Sequence, residues 1–310
     1  MSFFANLFGY LLNFIYEFVN NYGLAIIIFS IVIKIIMIPI SIKQQKTLKK
    51  STKMQAKMKE IQVKYKNNPE KLNQATIELY KSENMSPFSG CLSAIVQIVL
   101  LFSVFFLVQS PLTYMKKADA NMVDKYIKIM QQNNLSSANS GYPQIELIRE
   151  IDNIKNLKNQ ENAENNAEDQ EEGKIQLSEI NEEELDSLKI NMDFLGLNLA
   201  QVPTKSSDWK AYIIPALYVI VSVISLKVTN LSTPKPEKKE DGENGEKKEG
   251  EDFDPMMQMN KNMKFLFPIM YLSVALIAPL GLALYWLMNS LLMIIERLVL
   301  NKLLKDEEEN

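Results

Sequence analysis

Residues 24–42 read LAIIIFSIVIKIIMIPISI, 19 positions of apolar chain with a single cation, Lys34, near the middle. As a helix this run rises about 28 Å, close to the ~30 Å hydrocarbon core of a bilayer, so it is read as a membrane span. A charge at mid-span costs about 2.5–3.5 kcal/mol on insertion scales, and such residues usually face a bundle interior or a water-filled cavity. Lys34 lies roughly 15 Å from either end of the run, too far for its ammonium to snorkel comfortably to water. The run therefore predicts both a span and a wet cavity beside it.

Further apolar runs lie at residues 91–108, 211–228 and 265–295, and the last is broken by Pro279-Leu280-Gly281. Together they predict an all-α membrane protein with five transmembrane helices, the last two paired as a hairpin. Overall composition conceals this, because 47% hydrophobic residues and a mean hydropathy of -0.09 suit a soluble protein equally well. The fourth and fifth cores, residues 265–279 and 282–295, rise only about 21–23 Å, short enough to thin the bilayer locally.

Charge sets the expected orientation. Between Lys43 and Glu83, 11 lysines stand against four acids, while residues 1–33 contain no Lys or Arg. The positive-inside rule then puts the N-terminus outside, residues 43–90 in the cytoplasm and, after five spans, the C-terminus inside. The loop at 110–208, with 18 acids against 10 Lys/Arg, falls outside. Residues 3–19 are apolar but lack a basic segment ahead of them. Phe4, Leu7, Phe8, Leu11, Ile15 and Phe18 share one helical face, which predicts an amphipathic helix lying in the outer interface rather than a sixth span.

The expected order is an interfacial helix (1–22), the first span (23–42), a basic cytoplasmic helical hairpin (43–90) and the second span (91–109). An extracytoplasmic loop (110–208), the third span (209–229), a cytoplasmic loop (230–262), the fourth and fifth spans (263–300) and a cytoplasmic tail (301–310) follow. In the hairpin, Met54, Met58, Ile61 and Tyr65, then Leu72, Ala75 and Leu79, recur at helical spacing on either side of Asn67-Asn68-Pro69, where Asn68 suits an N-cap and Pro69 the first helical position. Residues 153–184 and 233–251 are so polar that they are expected to stay largely disordered.

The lone Cys91 excludes a disulfide framework, and the absence of His removes the common zinc, haem and Ser-His-Asp arrangements. No catalytic residue, metal site or cofactor is expected, and the chain is not read as an enzyme.

Several stretches resemble the bacterial YidC/Oxa/Alb-type membrane protein insertases. They are Ile33-Lys34-Ile35 with Ile38-Pro39-Ile40 and Lys43-Gln44, Pro69-Glu70-Lys71-Leu72-Asn73-Gln74, and Leu79-Tyr80-Lys81. Ser86-Pro87-Phe88-Ser89-Gly90-Cys91-Leu92 with Gln97, Phe194-Leu195-Gly196-Leu197-Asn198-Leu199-Ala200 and Ile214-Pro215 follow in order, and Pro279-Leu280-Gly281-Leu282-Ala283-Leu284-Tyr285-Trp286-Leu287-Met288-Asn289 completes them. The family usually has Arg where this chain has Lys34, so a point charge replaces the bidentate guanidinium fork.

The resemblance implies an insertase and chaperone that passes newly made membrane proteins through a hydrophilic groove open to cytoplasm and lipid, alone or with the Sec translocase. Lys34, Gln97, Trp286 and Asn289 are the expected groove residues, although interhelical hydrogen bonding explains Gln97 and Asn289 equally well and packing explains Trp286. Met256, Met257, Met259 and Met263 form a cluster suited to accepting varied apolar sequences. The implied partners are nascent membrane proteins, the Sec translocase and translating ribosomes, with anionic lipids for the basic hairpin. The alternative is a small-solute transporter or channel using Lys34. It generally wants further ionisable groups inside the membrane, and Lys227, Glu296 and Arg297 are read as lying toward cytoplasmic ends.

Overall fold

A computed structural model describes residues 2–83, 89–136, 140–163, 177–232 and 272–309. The methionine cluster at 256–263, and the fourth span up to residue 271, lie outside them. Helices dominate: α1 (Ser2–Val19), α2 (Tyr22–Lys64), α3 (Pro69–Ser82), α4 (Ser89–Gln109), α5 (Pro111–Tyr114), α6 (Ala120–Gln132), α7 (Pro143–Ala163), α8 (Glu182–Ser187), α9 (Ile213–Ser232) and α10 (Leu280–Glu309). Among the described residues, three helical stretches are long and apolar enough to cross a membrane, Ser2–Val19, Tyr22–Thr47 and Leu280–Leu303, with shorter apolar helices at Ile98–Gln109 and Trp209–Ser225. Their outward faces carry Ile35, Ile36, Ile98, Phe102, Ile220, Ile224, Ile295 and Leu298 exposed, as lipid-facing helices require.

The chain divides into two compact units, the first comprising Met1–Ile33, Val99–Tyr218 and Leu272–Asn289, the second Lys34–Ile98, Val219–Tyr271 and Ser290–Asn310. In the first, α6 and α7 pack face to face. Val123, Tyr126, Ile129 and Met130 of α6 recur at helical spacing and are buried with Ile145, Leu147, Ile148, Ile151 and Ile154 of α7, while Ile180, Leu185 and Leu188 close the layer. Each large side chain so buried contributes about 1.5–3 kcal/mol.

This corrects the expectation of disorder over residues 153–184. Helix α7 continues to Ala163, a 3₁₀ turn spans Leu177–Glu179 and α8 begins at Glu182. Asn181 caps α8 by accepting from the Glu183 N–H, and Lys155 pairs with Asp186 at 2.7 Å. The stretch is polar on average, but Ile154, Ile180 and Leu185 are spaced to meet one core. Residues 164–176 lie outside the described part.

The same unit has a small antiparallel hairpin, β1 (Asp193–Phe194) with β2 (Leu197–Asn198), which is absent from the all-α reading. Its turn residues, Leu195 and Gly196, have φ of 52° and 76°, the left-handed pair that a tight hairpin demands. The adjoining backbone covers helix starts: Tyr22 donates to the Asn191 carbonyl at 2.9 Å, Leu280 to Gln201 at 2.9 Å and Gly281 to Leu199 at 2.9 Å. First-turn N–H groups of α2 and α10 thus find partners that their own helices cannot supply.

Helix α1 buries Ala5, Phe8, Gly9, Leu12, Ile15 and Tyr16, leaving Phe4, Leu7 and Phe18 exposed. The face grouped from the sequence is therefore split. Asn6, Asn13 and Glu17 mark a polar face, and among the apolar faces the close approach is set by Gly9, where a Cβ would sit 1.8 Å from the Tyr114 carbonyl oxygen.

In the second unit, α2 runs without a break from the apolar stretch into the basic one, with Pro39 inside it. Asn68 accepts from the Lys71 N–H and Pro69 opens α3. Lys57 meets Glu83 at 2.5 Å, the Thr76 hydroxyl lies 3.7 Å from the Met58 sulfur, and Met54 and Leu79 are buried. These contacts draw the distal part of α2 alongside α3.

Candidate functional site

Polar groups inside the apolar helices are few, and most are satisfied by the helix that carries them. Ser30 donates to the Ile26 carbonyl at 2.7 Å and Ser103 to Val99 at 2.6 Å, the local back-bonding open to a short hydroxyl. Lys34 has no such recourse, since an ammonium needs an anion or water.

The anion is Glu296. Lys34 Nζ lies 2.5 Å from Glu296 Oε2, with side-chain exposures of 22% and 13%. Both residues belong to the second unit. Helix α10 is continuous from Leu280 to Glu309, and its apolar stretch extends to Leu303, so the carboxylate falls inside that stretch. Further along the same two helices, Gln45 Nε2 donates to Asn301 Oδ1 at 3.1 Å.

The pair is incompletely satisfied. Glu296 Oε1 is buried and has no hydrogen-bond partner among the described residues. A buried ion pair balances its desolvation only when the remaining lone pairs and protons are also bonded, and removing one partner strands a charge at about 3–5 kcal/mol. Lys34 is thus held, but by a partner that is itself half-bonded.

Of the other residues singled out from the sequence, Trp286 is half-buried and packs on Tyr218, ring centroids 6.4 Å apart and tilted by 37°. Asn289 is half-buried. Both lie in the first unit. Gln97 sits within α4, but its side chain lies outside the described part, as does the methionine cluster. Sequence reasoning missed the role of Glu296, although opposite charges on two apolar helices were a usable signal.

Comparison with known proteins agrees with the apolar helices. The profile of the 60Kd inner membrane protein family matches residues 14–308. A protein named membrane protein insertase YidC from Fusobacterium nucleatum is 40% identical over 102 residues, 33% of this chain and 50% of the relative. Its namesake from Caldanaerobacter subterraneus is 37% identical over 102 residues, with the same shares. One from Syntrophus aciditrophicus is 45% identical over 94 residues, 30% of this chain and 17% of the relative. The aligned stretches therefore cover half or less of each relative. With its profile match extending over nearly the whole sequence, the chain is a membrane protein belonging to the 60Kd inner membrane protein family.

Proposed function

We propose that this chain inserts newly made membrane proteins into the bilayer, alone or with the Sec translocase. The observation that carries the proposal is Lys34, a cation inside an apolar helix of a chain from this family. An insertase must move a short polar tail across hydrocarbon while the apolar segment beside it passes into lipid. A partly exposed ammonium within the apolar layer attracts an acidic or polar tail part-way, and partitioning of the new span into lipid completes the step. No covalent chemistry is required.

In this proposal the chain makes five spans, with its N-terminus outside, its C-terminus in the cytoplasm and α1 along the outer interface. Lys34, Gln97, Trp286 and Asn289 line a hydrophilic groove, a grouping that rests on the family resemblance. Met256, Met257, Met259 and Met263 receive apolar segments on the cytoplasmic side. The lysines of α2 and α3 face anionic lipid or a translating ribosome.

A small-solute transporter or channel is the second reading, and the Lys34–Glu296 pair favours it more than a lone lysine does. Site-specific cross-linking from positions 34, 97 and 289 to a stalled nascent membrane protein separates the two. Insertase action gives nascent-chain adducts at these positions. Solute flux through reconstituted vesicles, with no such adducts, supports the transporter.

A further inference from the structure

Glu296 is a half-buried carboxylate for which the proposed insertion step has so far given no role. We propose that it is a specificity-determining residue: its carboxylate occupies Lys34, so an acidic segment of an incoming chain engages Lys34 only by displacing Glu296. The inference rests on the insertase reading and adds a selectivity to it.

Three observations carry it. The Nζ–Oε2 contact of 2.5 Å leaves the ammonium engaged rather than waiting for an anion. The carboxylate in contact with the ammonium offsets part of its charge, so a distant acidic tail feels less attraction than Lys34 alone would exert, even with Arg297 beside Glu296. Finally, among the described residues Glu296 is bonded through Oε2 alone, and Oε1 has no partner there to hold the carboxylate against exchange. A loosely held competitor can be displaced, whereas one hydrogen-bonded on both oxygens would be locked in place.

The chemistry is an exchange of anions on a flexible cation. Lysine carries three donors on a four-carbon stem and needs no particular fork geometry, so it can pass from Glu296 to an aspartate or glutamate of the substrate with no proton transfer. Because Glu296 is tethered, it competes at high effective concentration. A tail with one acidic residue is therefore at a disadvantage, a tail with several overcomes it, and an uncharged tail is indifferent. This is discrimination by a built-in repulsive element.

The test uses the full chain in vesicles at matched protein amounts, with three single-span substrates that differ only in a short translocated tail carrying no, one or three aspartates. The readout is the initial rate at which the tail becomes protected from protease. Glu296→Gln is expected to speed the one-aspartate substrate by about fivefold, the size set by a partly exposed pair, while the uncharged tail changes by less than about twofold. Glu296→Asp, whose shorter arm loosens the pair and keeps the charge, is expected to give a smaller gain. If neither variant speeds the one-aspartate tail, Glu296 merely positions Lys34 and the inference is overturned, with the insertase reading intact. If the unmodified chain inserts none of the three substrates, the insertase reading fails and the inference falls with it.

Discussion

A buried and a half-buried carboxylate in this chain are treated in opposite ways. Glu146, in the layer formed by α6 and α7, is 3% exposed and bonded on both oxygens: the Ser136 hydroxyl donates to Oε2 and Lys205 reaches Oε1 at 3.1 Å. Glu296, on an apolar helix, has Lys34 on one oxygen and no partner on the other among the described residues. Burial, the largest influence on the Glu146 carboxyl, raises its pKa. Hydrogen bonds from Ser136, Lys205 and Ser140, with the charge of Lys205, outweigh it, and the net shift is downward. A carboxylate this fully bonded reads as part of the architecture, while one left half-bonded beside a cation retains freedom to exchange partners.

The contrast can be broken most severely at Lys34. Lys34→Ala strands the Glu296 carboxylate, and the protein is expected to lose about 3–5 kcal/mol of stability. Lys34→Ala with Glu296→Gln is expected to recover most of this, because no isolated charge remains. Thermal unfolding midpoints in detergent check both, and a Lys34→Ala variant as stable as the unmodified protein would show that Glu296 does not depend on Lys34.

At the other carboxylate, Glu146→Ala leaves its bonded partners without an acceptor and is expected to cost about 1–3 kcal/mol in the α6–α7 layer. Limited proteolysis of this layer reads this out, and insertion by surviving protein should be unchanged. Unaltered protease resistance would place Glu146 among the dispensable groups.

Acid gives a milder version of the same test. Since the Glu146 pKa is lowered on folding, the folded state binds fewer protons there than the unfolded state. Its contribution is complete above the unfolded value of about 4.3 and fades as pH falls through the lower folded value. Protease resistance of the α6–α7 layer should therefore decline below about pH 4 in the unmodified protein and decline less in Glu146→Gln. An identical acid profile for the two would remove Glu146 from the account.

The smallest effect is expected from deleting residues 164–176. Both flanks are anchored, α7 through Ile154 and the Leu177–Glu179 turn through Ile180, and shortening a connecting loop changes closure entropy by only about 0.6 kcal/mol per halving of its length. Insertion and stability should match those of the full chain. A deletion that begins at Asn153, by contrast, removes Ile154 and the Lys155–Asp186 pair and should unfold the layer.

What the sequence revealed follows from how far each signal reaches along the chain. The apolar runs, the central Lys34 and the Asn68-Pro69 helix start are local patterns and could be read directly. The partner of Lys34 was harder to read, because Glu296 lies on the last helix and only the opposite charges of two distant apolar stretches hint at the pairing. The α6–α7 layer was obscured by averaging: Ile154, Ile180 and Leu185 are sparse among Glu, Asn and Gln, and only the fold gathers them. On α1, the apolar residues span more than one face, and the buried one is chosen by Gly9 and its approach to Tyr114.

The central claim is that Lys34 acts in insertion as a point charge. Its most direct test is the insertion of one substrate with a short acidic tail by reconstituted vesicles containing the unmodified chain, Lys34→Arg or Lys34→Ala, at matched amounts of folded protein. Lys34→Arg should retain activity and Lys34→Ala should fall about tenfold or more, the loss expected when a charge in a partly dehydrated site is removed. Full insertion by Lys34→Ala would contradict the account.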